Sequence, residues 1–415
     1  MLKAPLRKGG ILTKSEKRIM GLTVGSHGLV HFFEGVLPPL IPLVMAEFGT
    51  DYFHVGLVVT VFSYAFGFGS LPAGILADRF GPRRLVTLYL FVAGLFAILV
   101  WPTRQLWLYA VMMGGVGLGC STYHPASNTL LSLSMTQRGN AFGLHGIAGS
   151  LGVAGAPLLA ALIGTALGWR APHVLFGVMG IALGFYSMTI PEVAVARVAP
   201  HSPQQPSRSD TKAINLPSLT LFFLSATALG LTYKGIMTFL PTYLGKNVAV
   251  SFAKNDPVAL GGIVATVALI SGALGQYMAG RMVDRFAAEK LYFGAVIIGM
   301  LCVFMMAVST NLWLIFFAVI YAFFYFSTQP VQNFIISNYL PKHRHGTGYG
   351  IHFFLTFGVG STAAAVSGYL ADRFGLQSVF WAMGGCFMLS AIMISLLLIR
   401  NGKATLTEPL VRDHT

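Results

Sequence analysis

Three ionisable side chains lie inside an apolar segment near the start of the chain. His27, His31 and Glu34 occur between Ile19 and Met45, a run long enough to cross a bilayer as a helix. At 100° per residue, the three side chains fall on one narrow helix face. A carboxylate at mid-membrane costs about 2.5–3.5 kcal/mol or more. These residues therefore predict a polar cavity inside a bundle of membrane-spanning helices.

The composition is that of a polytopic membrane protein. Of 415 residues, 55% are hydrophobic and only 10% are charged, whereas a soluble protein carries about 25% charged residues. The formal net charge of +14 could indicate nucleic-acid binding, but the basic residues lie between apolar runs. We therefore expect no nucleic-acid partner. Cys120, Cys302 and Cys386 all lie in apolar spans, which predicts small core residues rather than disulfides or metal ligands.

The sequence carries none of the motifs of a soluble enzyme. It has no GxxxxGK phosphate-binding loop, no Cys/His zinc spacing and no nucleophile elbow. We therefore predict a protein that is not an enzyme, uses no cofactor and holds no resident metal.

Twelve apolar segments predict twelve membrane-spanning helices in an all-α membrane protein. Six precede residue 191, and six begin near Leu216, Val258, Leu291, Leu312, Thr347 and Gln377. The predicted domains are an N-terminal six-helix bundle (1–190), a cytoplasmic linker (191–215), a C-terminal six-helix bundle (216–400) and a cytoplasmic tail (401–415). The linker is rich in Pro and Ser, which indicates flexibility.

The loop charges predict the orientation. With a cytoplasmic N-terminus, the cytoplasmic segments hold 21 Lys and Arg residues and the outer loops hold 5. Cytoplasmic loops usually carry this excess. We therefore predict both termini in the cytoplasm, in a bacterial inner (plasma) membrane, and we expect a monomer.

The two halves of the sequence repeat. Gly74 recurs as Gly280, at an offset of 206 residues. Further pairs lie at offsets of 200 to 207: Gly35/Gly235, Pro125/Pro330, Asn128/Asn333, Gly143/Gly350 and His145/His352. The repeat predicts two bundles related by a pseudo-twofold axis along the membrane normal, with a binding site between them and alternating access.

The repeat also places Lys234 opposite Glu34. We predict a charge pair at the midplane that serves substrate or protons, because intramembrane charges usually mark such paths. The alternative is a salt bridge that only locks the halves. His27 and His31 could exchange protons near neutral pH. Alternatively, each histidine bonds a backbone carbonyl left free by the prolines at the end of span 1.

Prolines predict breaks in two spans at matched positions, after His124 in span 4 and after Gln329 in span 10. Such breaks point to a cavity. The residues predicted to face the pore are Tyr123, His124, Asn128, Gln329 and Asn333. The alternative for these is hydrogen bonding between helices. His145 and His352 could form an inner gate or an anion site, or they could be a packing pair.

The segment Gly74–Arg84 reads GILADRFGPRR and resembles the loop between spans 2 and 3 of the major facilitator superfamily. The resemblance implies the twelve-helix fold and a charge latch that is made in one conformation and broken in the other. The latch residues would be Gly74, Asp78, Arg79, Gly81, Arg83 and Arg84, with Arg138 as a partner. A weaker copy contains Asp284 and Arg285. A third copy, Gly368–Gly375, falls on the outer side and is not predicted to be the same device.

A narrower resemblance is to the fosmidomycin-resistance-like transporters. It is carried by His27, His31 and Pro42, by Tyr123-His124-Pro125, by Arg138-Gly139 and by the Gly-rich stretch from Gly146 to Pro157. It implies efflux of a phosphonate-like or other drug. The chain departs from the relatives at two positions: His31 stands where they usually have Asp, and Glu34 where they usually have a small or neutral residue.

These observations together predict a proton-coupled secondary transporter in the bilayer. It would move a small polar, anionic solute or a drug by alternating access, with efflux favoured. Lys234 and the histidines favour an anion, and Glu34 with His31 could carry the proton. The alternatives are proton-coupled uptake of a small carboxylate, transport of a divalent metal held by His27, His31 and Glu34, and a non-transporting receptor or scaffold.

Overall fold

A computed structural model describes residues 12–192, 215–249, 256–341 and 344–407. The predicted linker and tail therefore lie largely outside the described residues. The described helices are α1 (Lys14–Gly35), α2 (Leu37–Phe48), α3 (Tyr52–Phe80), α4 (Pro82–Ile98), α5 (Leu106–Ser121), α6 (Tyr123–Ser134), α7 (Arg138–Leu167), α8 (Ala171–Met188), α9 (Leu216–Asn247), α10 (Pro257–Met282), α11 (Ala288–Val308), α12 (Asn311–Tyr339), α13 (His345–Phe353), α14 (Thr362–Phe374) and α15 (Gln377–Thr407).

These helices form twelve spans, which confirms the predicted fold class. Ten stretches are long and apolar enough to cross a membrane by length and composition. The other two spans are α4, which has 17 residues, and the pair α5 and α6, which a turn at Thr122 separates. The pairs α1–α2 and α13–α14 also each make one span. Because the number of spans is even, both described ends of the chain lie at the same face of the bundle. We call this the terminal face and the opposite one the distal face.

The first span breaks beside Glu34. α1 starts with a capping box between Thr13 and Glu16 and ends at Gly35. α2 then starts at Leu37, with prolines in its first turn, where a missing N–H costs little. Because Pro38 has no N–H, the Glu34 carbonyl has no helical partner four residues later. The break therefore leaves a backbone carbonyl without its helical hydrogen bond beside the ionisable side chain of Glu34.

Prolines have different effects in spans 4 and 10. Span 4 is interrupted at Thr122, three residues before Pro125, as predicted. The predicted break in span 10 is wrong, because Pro330 lies inside the continuous helix α12. Pro330 removes the N–H that would bond the Phe326 carbonyl four residues earlier, yet the helix continues on both sides of it.

The irregular span in the second half is span 11, which the sequence did not indicate. Between α13 and α14 the chain forms a π-helical turn (Phe354–Gly358) and a 3₁₀ turn (Val359–Ser361). Such turns inside helices often occur at functional sites. This one faces the cavity described below.

The two halves meet closely at the distal face. A Cβ added at Gly56 of α3 would lie 2.6 Å from the Ala364 carbonyl oxygen of α14, and one added at Gly262 of α10 would lie 2.6 Å from the Pro157 carbonyl oxygen of α7. Towards the terminal face the α7–α10 pair carries Gly143 and Gly280, where an added Cβ would meet no described atom within 4 Å. The halves are therefore closely packed at the distal face, with open space beside these two glycines nearer the chain ends.

Candidate functional site

An ion pair joins the two halves where the first span breaks. Lys234 Nζ of α9 lies 2.6 Å from Glu34 Oε1 of α1, and the two side chains are only 6% and 14% exposed. The Nζ atom also lies 5.5 Å from the ring centre of Tyr233 and 5.7 Å from that of Phe357. The pairing predicted from the repeat is therefore present, and its role in transport stays a prediction.

His31 completes a three-residue group with this pair. Its Nδ1 lies 3.2 Å from Glu34 Oε2, the oxygen that does not contact Lys234. A carboxylate oxygen can only accept a hydrogen bond, so Nδ1 carries the proton when His31 is neutral. The Glu34 carboxylate thus accepts hydrogen bonds from His31 of the first half and from Lys234 of the second half.

His27 also bonds a backbone carbonyl, but not one freed by the prolines of span 1. Its Nδ1 lies 2.6 Å from the carbonyl oxygen of His145 on α7, to which it donates. The rings of His27 and His145 are stacked with centres 3.9 Å apart. Gly149 makes room for this arrangement, since a Cβ there would lie 2.6 Å from His27 Nε2.

Three histidines converge beside the ion pair. His27, His31 and His124 each present a ring nitrogen, and these atoms all lie within 4.8 Å of one another. The ring centres are separated by 5.1 Å (27–31), 5.3 Å (27–124) and 5.8 Å (31–124). We call these three residues the histidine cluster.

A cavity of about 290 Å³ between the halves exposes the histidine cluster and Glu34. Lys234 lines a smaller cavity of about 40 Å³, which His31 and Glu34 also line. The first half lines the larger cavity with the histidine cluster, Glu34, Asn128 and His145, and the second half lines it with Tyr233, Gln276, Phe326, Gln329 and Phe357, among others. All these residues belong to the terminal-face portions or the middle of their spans. The larger cavity can therefore hold a small solute in contact with both halves.

Two polar links cross or border this cavity. Ser150 Oγ of α7 donates to Gln276 Oε1 of α10 at 2.9 Å, and Gln276 Nε2 donates to Gln329 Oε1 at 2.5 Å. The sequence analysis selected Gln329 but missed Ser150, Gln276 and Tyr233. The position of Ser150 next to Gly149, and of Tyr233 next to Lys234, was the available signal.

The remaining predicted pore residues are distributed differently from the prediction. Tyr123 does not face the pore: it is fully buried, and its hydroxyl donates to the Thr23 carbonyl at 2.7 Å. Asn333 and His352 line a smaller, adjoining cavity of about 90 Å³ in the second half. His352 stacks on Phe222 there, whereas His145 packs on His27, so the structure does not bring the two together as a gate.

The predicted latch shows a partner that the sequence analysis missed. Glu192 accepts hydrogen bonds from the backbone N–H groups of Arg83 and Arg84, each at 3.1 Å, and its Oε2 lies 3.4 Å from Arg83 Nε. Glu192 therefore caps α4. The residue before this helix, Gly81, has a φ of +94°, a value that favours glycine.

The other latch residues are exposed or not described. The Asp78 side chain lies outside the described part of the structure. Among the described residues, Arg79, Arg138, Asp284 and Arg285 are exposed and make no ion pair, and an added Cβ at Gly74 would meet no described atom within 4 Å. The predicted pairing of Asp78 with Arg138 therefore stays a prediction.

The third copy of the motif forms a contact between the halves at the distal face. Asp372, near the end of α14, accepts hydrogen bonds from the N–H groups of Tyr52 (3.0 Å) and Phe53 (2.8 Å), at the start of α3. Asp51 also caps α3 within its own half, through the His54 N–H. Burial acts to raise the pKa of the Asp51 carboxyl, but the hydrogen bonds from the His54 backbone and side chain lower it overall. Gly368–Gly375 thus contributes a direct contact between the halves through Asp372. The expectation that it is not the same device as the loop between spans 2 and 3 stays a prediction.

The comparisons with known proteins identify the family. The family model described as Major Facilitator Superfamily matches residues 23–365 and 256–413. The chain is 24% identical over 378 residues to the cis,cis-muconate transport protein of Acinetobacter baylyi, in a match that covers 85% of this chain and 87% of that protein. It is 30% identical over 149 residues to a probable L-galactonate transporter of Escherichia coli, and this match spans 35% of the chain and only 33% of that relative's length.

Solved structures share the architecture. A crystal structure of a mutant of the nucleoside transporter NupG superposes with a TM-score of 0.77 at 15% identity, covering 92% of this chain and 99% of that one. At this identity the likeness shows the fold alone. The relatives named here are transporters, in agreement with the prediction that the protein is not an enzyme. With a family model that spans most of its length, the chain belongs to the Major Facilitator Superfamily of membrane transporters.

Proposed function

We propose that the protein is a proton-coupled transporter of a small organic carboxylate, working by alternating access through the cavity between its halves. The contact between Glu34 and Lys234 carries this proposal, because it places a proton acceptor beside the cation that an anion needs. The names of the muconate and galactonate relatives support an anionic substrate.

The ion pair supplies a coupling mechanism. As observed, the Glu34 carboxylate neutralises Lys234, so a second anion has no unpaired charge to bind at this pair. Protonation of Glu34 removes that neutralisation, and a substrate carboxylate then becomes the counter-ion of Lys234. Loss of the proton on the other side restores the Glu34–Lys234 contact and releases the anion. A proton and a monocarboxylate thus cross together with no net charge moved.

His31 provides a route for the proton. Its Nδ1 contacts Glu34 Oε2 and its ring lines the cavity. Histidine accepts and releases protons near neutral pH. In this scheme His31 relays a proton between cavity water and Glu34, and the Lys234 side chain is the substrate-binding cation.

Joint movement of proton and anion favours uptake driven by an inward proton gradient, which the sequence analysis gave as an alternative. Efflux, drug specificity and membership of the fosmidomycin-resistance-like group stay predictions. The inner-membrane location with cytoplasmic termini, and the monomeric state, also stay predictions.

Binding and transport by the purified protein test the proposal. A thermal-shift screen with small carboxylates, including cis,cis-muconate and L-galactonate, comes first, because a ligand at 100 times its Kd stabilises a protein by about 2.7 kcal/mol. A carboxylate that binds is then followed into proteoliposomes with an acidic exterior. We expect uptake that a protonophore abolishes and that Lys234→Met removes.

Glu47→Gln is the matched control. Glu47 is a carboxylate of the same first span, but it pairs with Arg170 at 2.6 Å within the first half, near the distal face. Its loss should leave binding and proton dependence unchanged. Uptake by Lys234→Met at the wild-type rate would contradict the proposal, as would stabilisation by neutral solutes only.

A further inference from the structure

The histidine cluster has a feature that anion transport does not use. Three imidazoles, from α1 and α6, direct ring nitrogens into the same space next to the cavity. Uncharged imidazole nitrogens are ligands for Zn²⁺, Co²⁺, Ni²⁺ and Cu²⁺, whereas Mg²⁺ and Ca²⁺ prefer oxygen.

The hydrogen bonds of the cluster leave one ring nitrogen of His27 and one of His31 without a proton. His27 donates its Nδ1–H to the His145 carbonyl, and His31 donates its Nδ1–H to Glu34. In both neutral rings Nε2 is therefore the unprotonated nitrogen. Metal-binding histidines usually have this arrangement, in which a carbonyl or carboxylate accepts from one nitrogen while the other binds the metal.

The spacing is close to that of a metal site. Two nitrogens bound tetrahedrally to Zn²⁺ at about 2.0–2.1 Å lie about 3.4 Å apart, and the ring nitrogens here lie within 4.8 Å. Small side-chain rotations of His31 and His124, which are partly exposed to the cavity, would close this difference. His27 is fixed by its bond to His145.

The charge nearby does not oppose a cation. Lys234 lies in direct contact with Glu34 at 2.6 Å, so the pair is neutral overall. The other titratable groups against the cluster are His145, which stacks on His27, and Tyr123, whose ring centre lies 5.7 Å from that of His27 and 5.2 Å from that of His124. The sequence analysis counted Glu34 as a metal ligand, but both of its oxygens already have partners, and His124 takes that position.

We propose that His27, His31 and His124 bind one divalent transition-metal cation, with Zn²⁺ and Co²⁺ as suitable probes. Three protein ligands leave a coordination position that faces the cavity, which a water molecule or a carboxylate oxygen can fill. The site shares His31 with the proposed function, but metal binding requires neither transport nor a proton gradient.

Metal binding to the purified protein tests the site directly. Protein with a Strep-tag rather than a His-tag is stripped with EDTA and titrated with Co²⁺ in detergent. We expect one Co²⁺ per chain with a tetrahedral visible spectrum, displacement by equimolar Zn²⁺ and no displacement by millimolar Mg²⁺. His124→Ala should weaken binding at least tenfold.

The controls separate ligation from folding and from surface binding. His54→Ala removes an exposed histidine that pairs with Asp51 at the distal face, and it should leave the Co²⁺ spectrum unchanged. If His124→Ala does not fold, His31→Gln replaces it, with folding checked by gel filtration. Absence of Co²⁺ binding in the wild type would overturn the proposal, as would full affinity in a folded cluster variant. Absence of carboxylate transport by the wild type, with Co²⁺ binding intact, would contradict only the proposed function.

Discussion

Replacing Asp372 with alanine should open the distal face. The carboxylate accepts two backbone hydrogen bonds from the start of α3, at 3.0 and 2.8 Å, and it belongs to the other half of the protein. Loss of a helix cap costs about 0.5–2 kcal/mol. This energy stabilises only conformations in which the distal face is closed, so its loss changes the balance between states rather than the stability of one helix.

The size of the shift between distal-closed and distal-open states follows from the energy of this cap. Because the residues involved are partly exposed and solvent screens the charge, we take about 1–1.4 kcal/mol, which corresponds to a roughly 5- to 10-fold shift towards distal-open states. Hydrogen–deuterium exchange in nanodiscs measures it. The amides of Tyr52 and Phe53 should exchange about 5- to 10-fold faster in Asp372→Ala, and the segment 362–374 should also lose protection.

Asp256→Ala is the matched control for this experiment. Asp256 caps α10 through the N–H groups of Val258 and Ala259, at 3.1 and 2.9 Å, entirely within the second half. Its loss should raise exchange at the start of α10 only. If Asp372→Ala leaves the exchange of Tyr52 and Phe53 unchanged, or if Asp256→Ala opens the distal face equally, the carboxylate of Asp372 does not hold the halves together.

Three further outcomes follow from single contacts. Gly149→Ala should displace the His27 ring and weaken Co²⁺ binding, whereas unchanged affinity in titrations would show that the ring position is not needed. Glu192→Ala removes the cap of α4 and should lower the free energy of unfolding by about 1 kcal/mol, read from thermal unfolding in detergent; an unchanged midpoint would contradict this. Glu16→Ala removes acceptors for Thr13 and Thr136 and should destabilise the terminal face, measured as faster amide exchange near residue 136; unchanged exchange there would refute it.

The internal repeat and the helical periodicity determine part of the site, and this part could be predicted from the sequence. His31 and Glu34 are three residues apart on one helix, and Glu34 and Lys234 occupy matching positions of spans 1 and 7. Both contacts are present at 3.2 and 2.6 Å. They depend on local geometry and on the internal repeat, which the sequence contains directly.

The parts that depend on which helix faces pack together could not be predicted. Tyr123 lies next to cavity-lining His124 but turns into the bundle, because its hydroxyl reaches the Thr23 carbonyl 100 residues away. Glu192 reaches α4 across 109 residues and Asp372 reaches α3 across 320. A proline alone also does not decide whether a span breaks, since α12 continues through Pro330 whereas span 4 is interrupted near Pro125.

The most direct test of the central claim is counterflow and proton-driven uptake by Glu34→Gln in the same proteoliposomes. Glutamine keeps the shape of the side chain but cannot carry the proton. We expect that the variant, once shown to be folded, still exchanges labelled for unlabelled carboxylate across the membrane, because Lys234 remains free to bind it. We also expect that an imposed pH gradient no longer drives accumulation, while Glu47→Gln behaves as the wild type. Undiminished pH-driven accumulation by Glu34→Gln would contradict the claim that Glu34 couples proton and anion movement.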